Sequence, residues 1–274
     1  MQTTIHPIFH PDVHFDQPTD LILTSADNVQ FHIHRDRVVT SSTNCFNLLL
    51  LLPTTEPIVL AEPSAIISTI LCLIYDKPFD SEPLPPAILA SFDALHKYGL
   101  PSKKYLTPPS RLFAATQAQL LTQSTDFALD IYARASQDDL SELAKAASPI
   151  LLSLTLPLTE PAQLHKIHPV YLQKLFALHS ERLDALRQLL RTPPAAHPQT
   201  SSCGSEGRER LVTNWNIQAS QVVLSSESPA IPPADVRKIL SKINSSLTCE
   251  DCKTKLKDGI DRVVHGWEST KNTI

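Results

Sequence analysis

The residues of this sequence best suited to chemistry are three cysteines and a few histidines in its second half. Cys249-Glu250-Asp251-Cys252 is a CxxC motif, and Cys203 precedes it in a polar, proline-rich stretch. A zinc ion takes four nitrogen or sulfur ligands in a tetrahedron, with Zn–S near ~2.3 Å. CxxC at the start of a helix supplies two of them, because the loop-to-helix turn aims both sulfurs at one point. Cys203 would be the third ligand. His197 is placed to be the fourth, with His179 on an apolar helix stripe and His265 as alternatives. Such a clamp would tie the loop to the last helix and stabilise a region otherwise held by helix packing alone. The plainer expectation is a set of inert buried thiols. Free cysteine is among the most buried residue types, and Cys252 shares its stripe with Leu256 and Ile260. His179 reads equally well as a core histidine, and a labile disulfide is a third reading of the cysteines. No cofactor is required by the sequence; structural zinc at Cys203, Cys249, Cys252 and His197 is the one it allows.

Other constellations carry less. His6, His10 and His14 repeat every fourth residue, but Pro7 and Pro11 bar the helix that would align them, so they read as a polar tail. Cys45 and Cys72 lie in apolar surroundings, where burial raises a thiol's pKa and makes a poor nucleophile. Glu181-Arg182 and Asp184 fall between apolar positions and read as a solvated helix face. No GxSxG, HExxH, GxxxxGK[ST] or GxGxxG occurs. The chain holds only 5 glycines against 23 prolines, and phosphate-cradling loops depend on glycine's freedom at positive φ. Catalytic residues and a small-molecule substrate are therefore not expected.

The 274 residues allow one large domain or two medium ones, and 42% hydrophobic against 19% charged residues is a globular composition. A net charge of −4 gives no overall pull toward nucleic acid or anionic membrane. Lys253, Lys255 and Lys257 are followed by acids and form no basic stripe. Met1 to His10 has neither the basic nor the apolar region of a signal peptide, and the apolar run Leu48 to Leu52 is too short to cross a bilayer. A cytoplasmic or nuclear protein with reduced thiols is expected.

The elements that must position these groups follow from periodicity. Residues 1–18 read as an extended or frayed lead-in. Leu21-Ile22-Leu23 reads as a buried strand, and Asp27-Asn28 as a turn. Val29, Phe31 and Ile33 alternate with polar residues as a half-buried strand. A short helix is predicted from Arg35 to Thr40, and a second from Thr43, as its cap, through Phe46 to Leu50. A strand at 57–60 precedes a helix opened by Pro63, with Ile66, Ile70, Leu73 and Ile74 on one face. Ile88, Phe92 and Leu95 mark the next, with Gly99 as its left-handed C-cap. Ser136 and Asp139 form a capping-box pattern ahead of Leu140, Leu143, Ala144 and Ala147. The longest helix starts at Pro169 and carries Leu172, Leu175, Phe176, His179, Leu183, Leu186 and Leu190 on one stripe. Three more follow, through Trp215, through Leu240 and through Trp267. The fold class is α+β at the front and all-α behind.

In this order the front elements resemble a BTB/POZ domain. The residues that carry the resemblance are Asp20, Phe31, His34, Val38, Ser42 and Phe46, the helix from Ile70 to Tyr75, and Ala94 to Leu100. It spans roughly residues 15–105. The resemblance implies a helical cluster against a short sheet, used for homo- or hetero-association, with His34 a packing landmark rather than a ligand. The spacing from His34 to Phe46 is one residue longer than usual, and Asp76 stands where a glycine often follows the tyrosine. The lead-in is too short and proline-rich for the extra helix that many BTB domains exchange on dimerising. The whole layout resembles the short BTB proteins of mushroom-forming fungi, which place a cysteine before one tryptophan helix and CxxC before another. Here those residues are Cys203 with Trp215, and Cys249 and Cys252 with Trp267.

The resulting plan has a lead-in (1–18), an interaction domain (19–105), a helical region (106–191), a linker (192–207) and a C-terminal helical region (208–274). The expected function is protein–protein interaction, as an adaptor, scaffold or oligomerisation unit. Its partner would be itself or another BTB-fold protein. Two narrower expectations stand beside it: a substrate adaptor of a cullin-type ubiquitin ligase, with a supporting helix pair between Pro108 and Ala147, and a transcription regulator with a zinc-dependent C-terminal region.

Overall fold

The computed structural model describes residues 4–11, 17–52, 56–156, 161–200, 203–224 and 229–274. The chain is α+β and divides into two compact units, Met1–Ala147 and Ser148–Ile274. The division falls inside the stretch 106–191 that the sequence presents as one helical region.

The first unit is built on a four-stranded sheet of order β1-β3-β2-β4. Its strands are β1 (Thr4–Ile5), β2 (Leu21–Thr24), β3 (Val29–Ile33) and β4 (Ile58–Val59). β2 and β3 are an antiparallel hairpin, closed by Asn28 at φ 60° and by both the N–H and the carbonyl of Val29 on the Ser25 side chain. Period-2 alternation sends Leu21, Leu23, Phe31 and Ile33 into the core. β1 and β4 add parallel edges. The lead-in is therefore more than a tail. His6, read as polar tail, is buried, stacked on Phe31 at 4.7 Å and bonded through Nε2 to Asp80 at 2.8 Å. His14 lies outside the described residues.

Helices α1 (Arg35–Ser41), α2 (Ser64–Ile74), α3 (Pro85–Lys97), α4 (Ser102–Tyr105), α5 (Arg111–Leu120) and α6 (Thr125–Gln137) complete this unit, and α7 (Ser141–Leu151) crosses the division. α2 buries Ile66, Ile67, Ile70 and Leu71, so almost its whole circumference is core. α3 ends at Gly99, whose φ of 65° allows the Leu100 N–H to reach the Leu95 carbonyl.

The strand-to-helix junction holds the sheet to α2. Asp20 accepts the Arg35 N–H at 2.8 Å, satisfying one free donor of α1, and Val38 faces the core. The His34 N–H donates to the Tyr75 hydroxyl at 2.7 Å, and Nδ1 lies 3.1 Å from that oxygen. Because Nε2 faces the Gln17 carbonyl at 2.9 Å, it carries the ring proton, and Nδ1 accepts from Tyr75.

Two expectations need correction. No right-handed helix runs from Thr43 through Leu50. Cys45, Phe46, Asn47 and Leu48 have φ between 50° and 63°, a left-handed turn. Left-handed backbone costs roughly 1–2 kcal/mol per residue, so tertiary contacts must impose it. Ser42 accepts the Phe46 N–H and donates to the Tyr98 carbonyl, both at 2.7 Å. Asn44 accepts the Asn47 N–H and donates to Lys97, while Phe46 stacks on Tyr98 at 4.1 Å. Thr43 caps no helix; its hydroxyl bonds the Gly99 carbonyl. Ser136 and Asp139 likewise open no helix. Ser136 is buried within α6, and Asp139, at φ 54°, ends that helix by letting the Leu140 N–H reach Ala135.

The second unit contains α8 (Pro161–Leu164), α9 (Pro169–Arg191), α10 (Ser205–Leu224), α11 (Pro233–Ser241), a 3-10 turn (Lys242–Ser246) and α12 (Glu250–Glu268). One apolar cluster joins Leu186 and Leu190 of α9 to Leu211 and Trp215, Val236 and Leu240, and Leu256, Ile260 and Trp267. Both indole N–H groups are satisfied, Trp215 on the Leu190 carbonyl and Trp267 on Ile231, each at 2.9 Å. Phe176, expected on the apolar stripe of α9, is exposed. Arg182, expected in solvent, is buried. Its guanidinium lies 4.2 Å from the Trp267 ring centre and donates to the Thr270 and Lys271 carbonyls at 2.8 and 2.9 Å. Glu181 and Asp184 beside it are exposed.

Replacing Tyr75 by Phe removes the acceptor of the buried His34 N–H and the donor to its ring. The variant is expected to lose about 1–3 kcal/mol of stability, read as a lower urea midpoint at unchanged m-value.

Candidate metal centre

The segment between α9 and α10 runs outside any helix or named strand among the described residues. Its first residue is Thr192 and its last is Gly204, since Ser205–Gly207 already belong to α10. Within it Thr200 and Cys203 exchange paired backbone hydrogen bonds of 3.3 Å, a tight reversal. That reversal returns the chain so that His197 and Cys203, both buried, face the start of α12. Cys249 is the N-cap residue of α12 and Cys252 lies in its first turn.

One ligand atom from each of His197, Cys203, Cys249 and Cys252 lies within 4.8 Å of the other three. The Cys203 and Cys252 sulfurs are 3.6 Å apart, and His197 Nε2 is 3.2 Å from Cys252 Sγ and 3.6 Å from Cys249 Sγ. A tetrahedron with Zn–S near ~2.3 Å and Zn–N near ~2.0 Å has edges of roughly 3.5–3.8 Å. The two separations of 3.6 Å fall on those edges, that of 3.2 Å is shorter, and all four ligand atoms lie within 4.8 Å of one another. These separations do not match a disulfide, whose sulfurs lie ~2.05 Å apart, and all five cysteines are free.

The imidazole is oriented for ligation. His197 Nδ1 is 2.6 Å from the Pro198 carbonyl, which can only accept, so Nδ1 carries the proton. The lone pair is then on Nε2, the atom that faces the sulfurs. Histidines that hold metals are commonly fixed in this way by a carbonyl on the far nitrogen.

The thiols differ in their environments. The Cys252 backbone N–H, followed by the neighbouring thiol of Cys203 and the Asp251 N–H, holds Cys249 below the usual thiol range. Burial, then the neighbouring Cys203 and Cys249, pushes Cys252 up to about 12. Three sulfurs this close cannot all ionise beside one another without a cation. A divalent ion would supply that charge, and a set of one imidazole and three thiolates is donor chemistry that zinc accepts.

His179 and His265 are not part of the cluster. His179 is buried with Nε2 3.1 Å from the Leu151 carbonyl, and burial lowers its pKa. His265 is exposed near the far end of α12. Asp20, Phe31, His34, Val38, Ser42, Phe46 and Tyr75 serve the packing of the first unit. Gly207 was not singled out by the sequence reading. A Cβ at this position would come within 2.6 Å of Cys203 Sγ, so the sulfur occupies the space that a side chain would need. Spacing gave no signal of this contact, because Cys203 lies outside α10, which begins at Ser205. A cavity of about 420 Å³ opens beside the cluster and is lined by all three cysteines together with Glu206 and Arg210.

Among the described residues no helix is long and apolar enough to cross a membrane. Compared with known proteins, the chain matches no family model, no curated protein and no solved structure at a significant level.

Replacing Gly207 by Ala is expected to weaken zinc binding by about 10–100-fold, the range found when groups supporting metal ligands are disturbed. Gly204→Ala, whose Cβ meets nothing within 4 Å, is expected to leave it unchanged. Competition with a chromogenic chelator reads both.

Proposed function

We propose that this chain is a protein-interaction adaptor, with a BTB/POZ-like association module in its first unit and a second, helical unit closed by structural zinc. The observation that carries the zinc half is the cluster of His197, Cys203, Cys249 and Cys252, with its ligand atoms within 4.8 Å of one another and Nε2 of His197 free to ligate. Four protein ligands leave no open position for substrate or water, so the metal acts on folding rather than on chemistry. It joins the segment before α10 to the start of α12, and its binding free energy adds to the stability of this unit.

The association half is supported by the residues that carry the resemblance. Asp20, His34 and Tyr75 tie the sheet to α1 and α2, and Ser42 and Phe46 tie the following turn to the end of α3. A short sheet whose edge strands β1 and β4 pair with no further strand among the described residues offers backbone donors and acceptors to a partner. A narrower version, a substrate adaptor of a cullin-type ligase, draws on α5 and α6, two helices that pack against α3.

The purified full chain is expected to hold about one zinc ion and to lose thermal stability on chelation. It is also expected to sediment as an oligomer or as a complex with another BTB-fold protein. Metal-free protein indifferent to chelator would sink the zinc half, and a monomer with no such partner would sink the association half. Co-isolation of a cullin, abolished by disrupting α5 and α6, would select the narrower version.

A further inference from the structure

The same cluster contains the means of replacing its metal. The Cys203 and Cys252 sulfurs lie 3.6 Å apart and belong to different segments. Both line the cavity of about 420 Å³, which a small oxidant can enter. Cys249 also lines it and is only half-buried, but it lies on the same turn of α12 as Cys252. A bridge between Cys249 and Cys252 would close within one helical turn and hold nothing else. A bridge between Cys203 and Cys252 would span the same two segments that the metal joins.

Building on the zinc reading above, we propose that the centre is a redox-exchangeable staple, in which peroxide converts the zinc-held form to a metal-free form with a Cys203–Cys252 disulfide. One sulfur of the pair attacks hydrogen peroxide and becomes a sulfenic acid, breaking the O–O bond and releasing hydroxide. The other sulfur then attacks the sulfenic sulfur and expels its oxygen, which leaves as water after taking up a proton. Two thiolates are oxidised by two electrons, one peroxide is reduced to two waters with two protons consumed, and the zinc ion leaves. Only His197 and Cys249 remain as ligands, too few to hold it.

Sulfurs at 3.6 Å must close to ~2.05 Å for the bond, a shift of roughly 1.5 Å. The reversal at Thr200–Cys203 is held by two backbone hydrogen bonds of 3.3 Å, and Cys203 Sγ faces the unsubstituted Gly207, so no side chain of that residue stands in the way. Cys249 is left as a reduced, half-exposed thiol. That leftover thiol distinguishes this outcome from a bridge within the CxxC motif.

The test uses the full chain purified with its metal, treated with hydrogen peroxide, alkylated and mapped by mass spectrometry, with zinc release followed by a chromogenic chelator. The expected result is loss of nearly all bound zinc, a Cys203–Cys252 cross-linked peptide, and alkylation at Cys249. Cys249→Ser is expected to form the same cross-link, and the oxidised metal-free protein to melt well above the reduced metal-free protein. A Cys249–Cys252 cross-link, or zinc retained at peroxide levels that oxidise the thiols of the chelated protein, overturns the proposal alone. A chain that purifies without zinc overturns the metal reading, and this proposal with it.

Discussion

The second unit depends on bringing three sulfurs and one imidazole to a common point. Left to themselves, these groups oppose it. Thiolates repel, and buried thiols resist ionising, as Cys252 does. The fold spends specific features on the approach: a reversal at Thr200–Cys203, a carbonyl fixing the His197 ring, and a glycine where any other residue would collide with Cys203. Each is hard to explain for inert thiols that merely fill a core. Together they bring four potential ligand atoms within 4.8 Å of one another, an arrangement compatible with a structural metal.

The first unit is ordered instead by single hydrogen bonds at its junctions. One phenolic oxygen at Tyr75 serves both the backbone and the ring of His34, and one hydroxyl at Ser42 joins a turn to a distant helix end. Glu62 does the same between the sheet and α3, receiving the Lys97 ammonium at 2.5 Å and the Tyr98 hydroxyl. Surface salt bridges contribute little by comparison, because solvent screens them.

Periodicity made the regular elements legible. The alternation from Val29 to Ile33 reported its strand, and the stripes through Trp215 and Trp267 reported their helices, because burial on one face writes itself into residue order. What escaped was decided by partners far along the chain. The turn at Cys45–Leu48 has a helical composition, yet it is left-handed because Ser42 and Asn44 engage Tyr98 and Lys97. Arg182 looked solvated because its neighbours are charged, and the Trp267 ring with the carbonyls of Pro229, Thr270 and Lys271 makes its burial tolerable. The three cysteines of the cluster were visible as residue types. The choice of His197 over His179 and His265 was not settled by spacing, since it follows from how one short loop reverses.

Helix α12 is held at both ends by different chemistry. Its N-cap residue and first turn carry two sulfurs of the cysteine–histidine cluster, and beyond its last turn the carbonyls of Thr270 and Lys271 are gripped by Arg182. A helix of 19 residues is about 28 Å long. It therefore behaves as a strut between two anchors, with the long helix α9 meeting it at the Arg182 end and the loop that follows α9 meeting it at the other. With both anchors in place, such a strut would resist fraying from either end. Its amide protons would exchange together, in a single opening event, and releasing either anchor would be felt along the whole length.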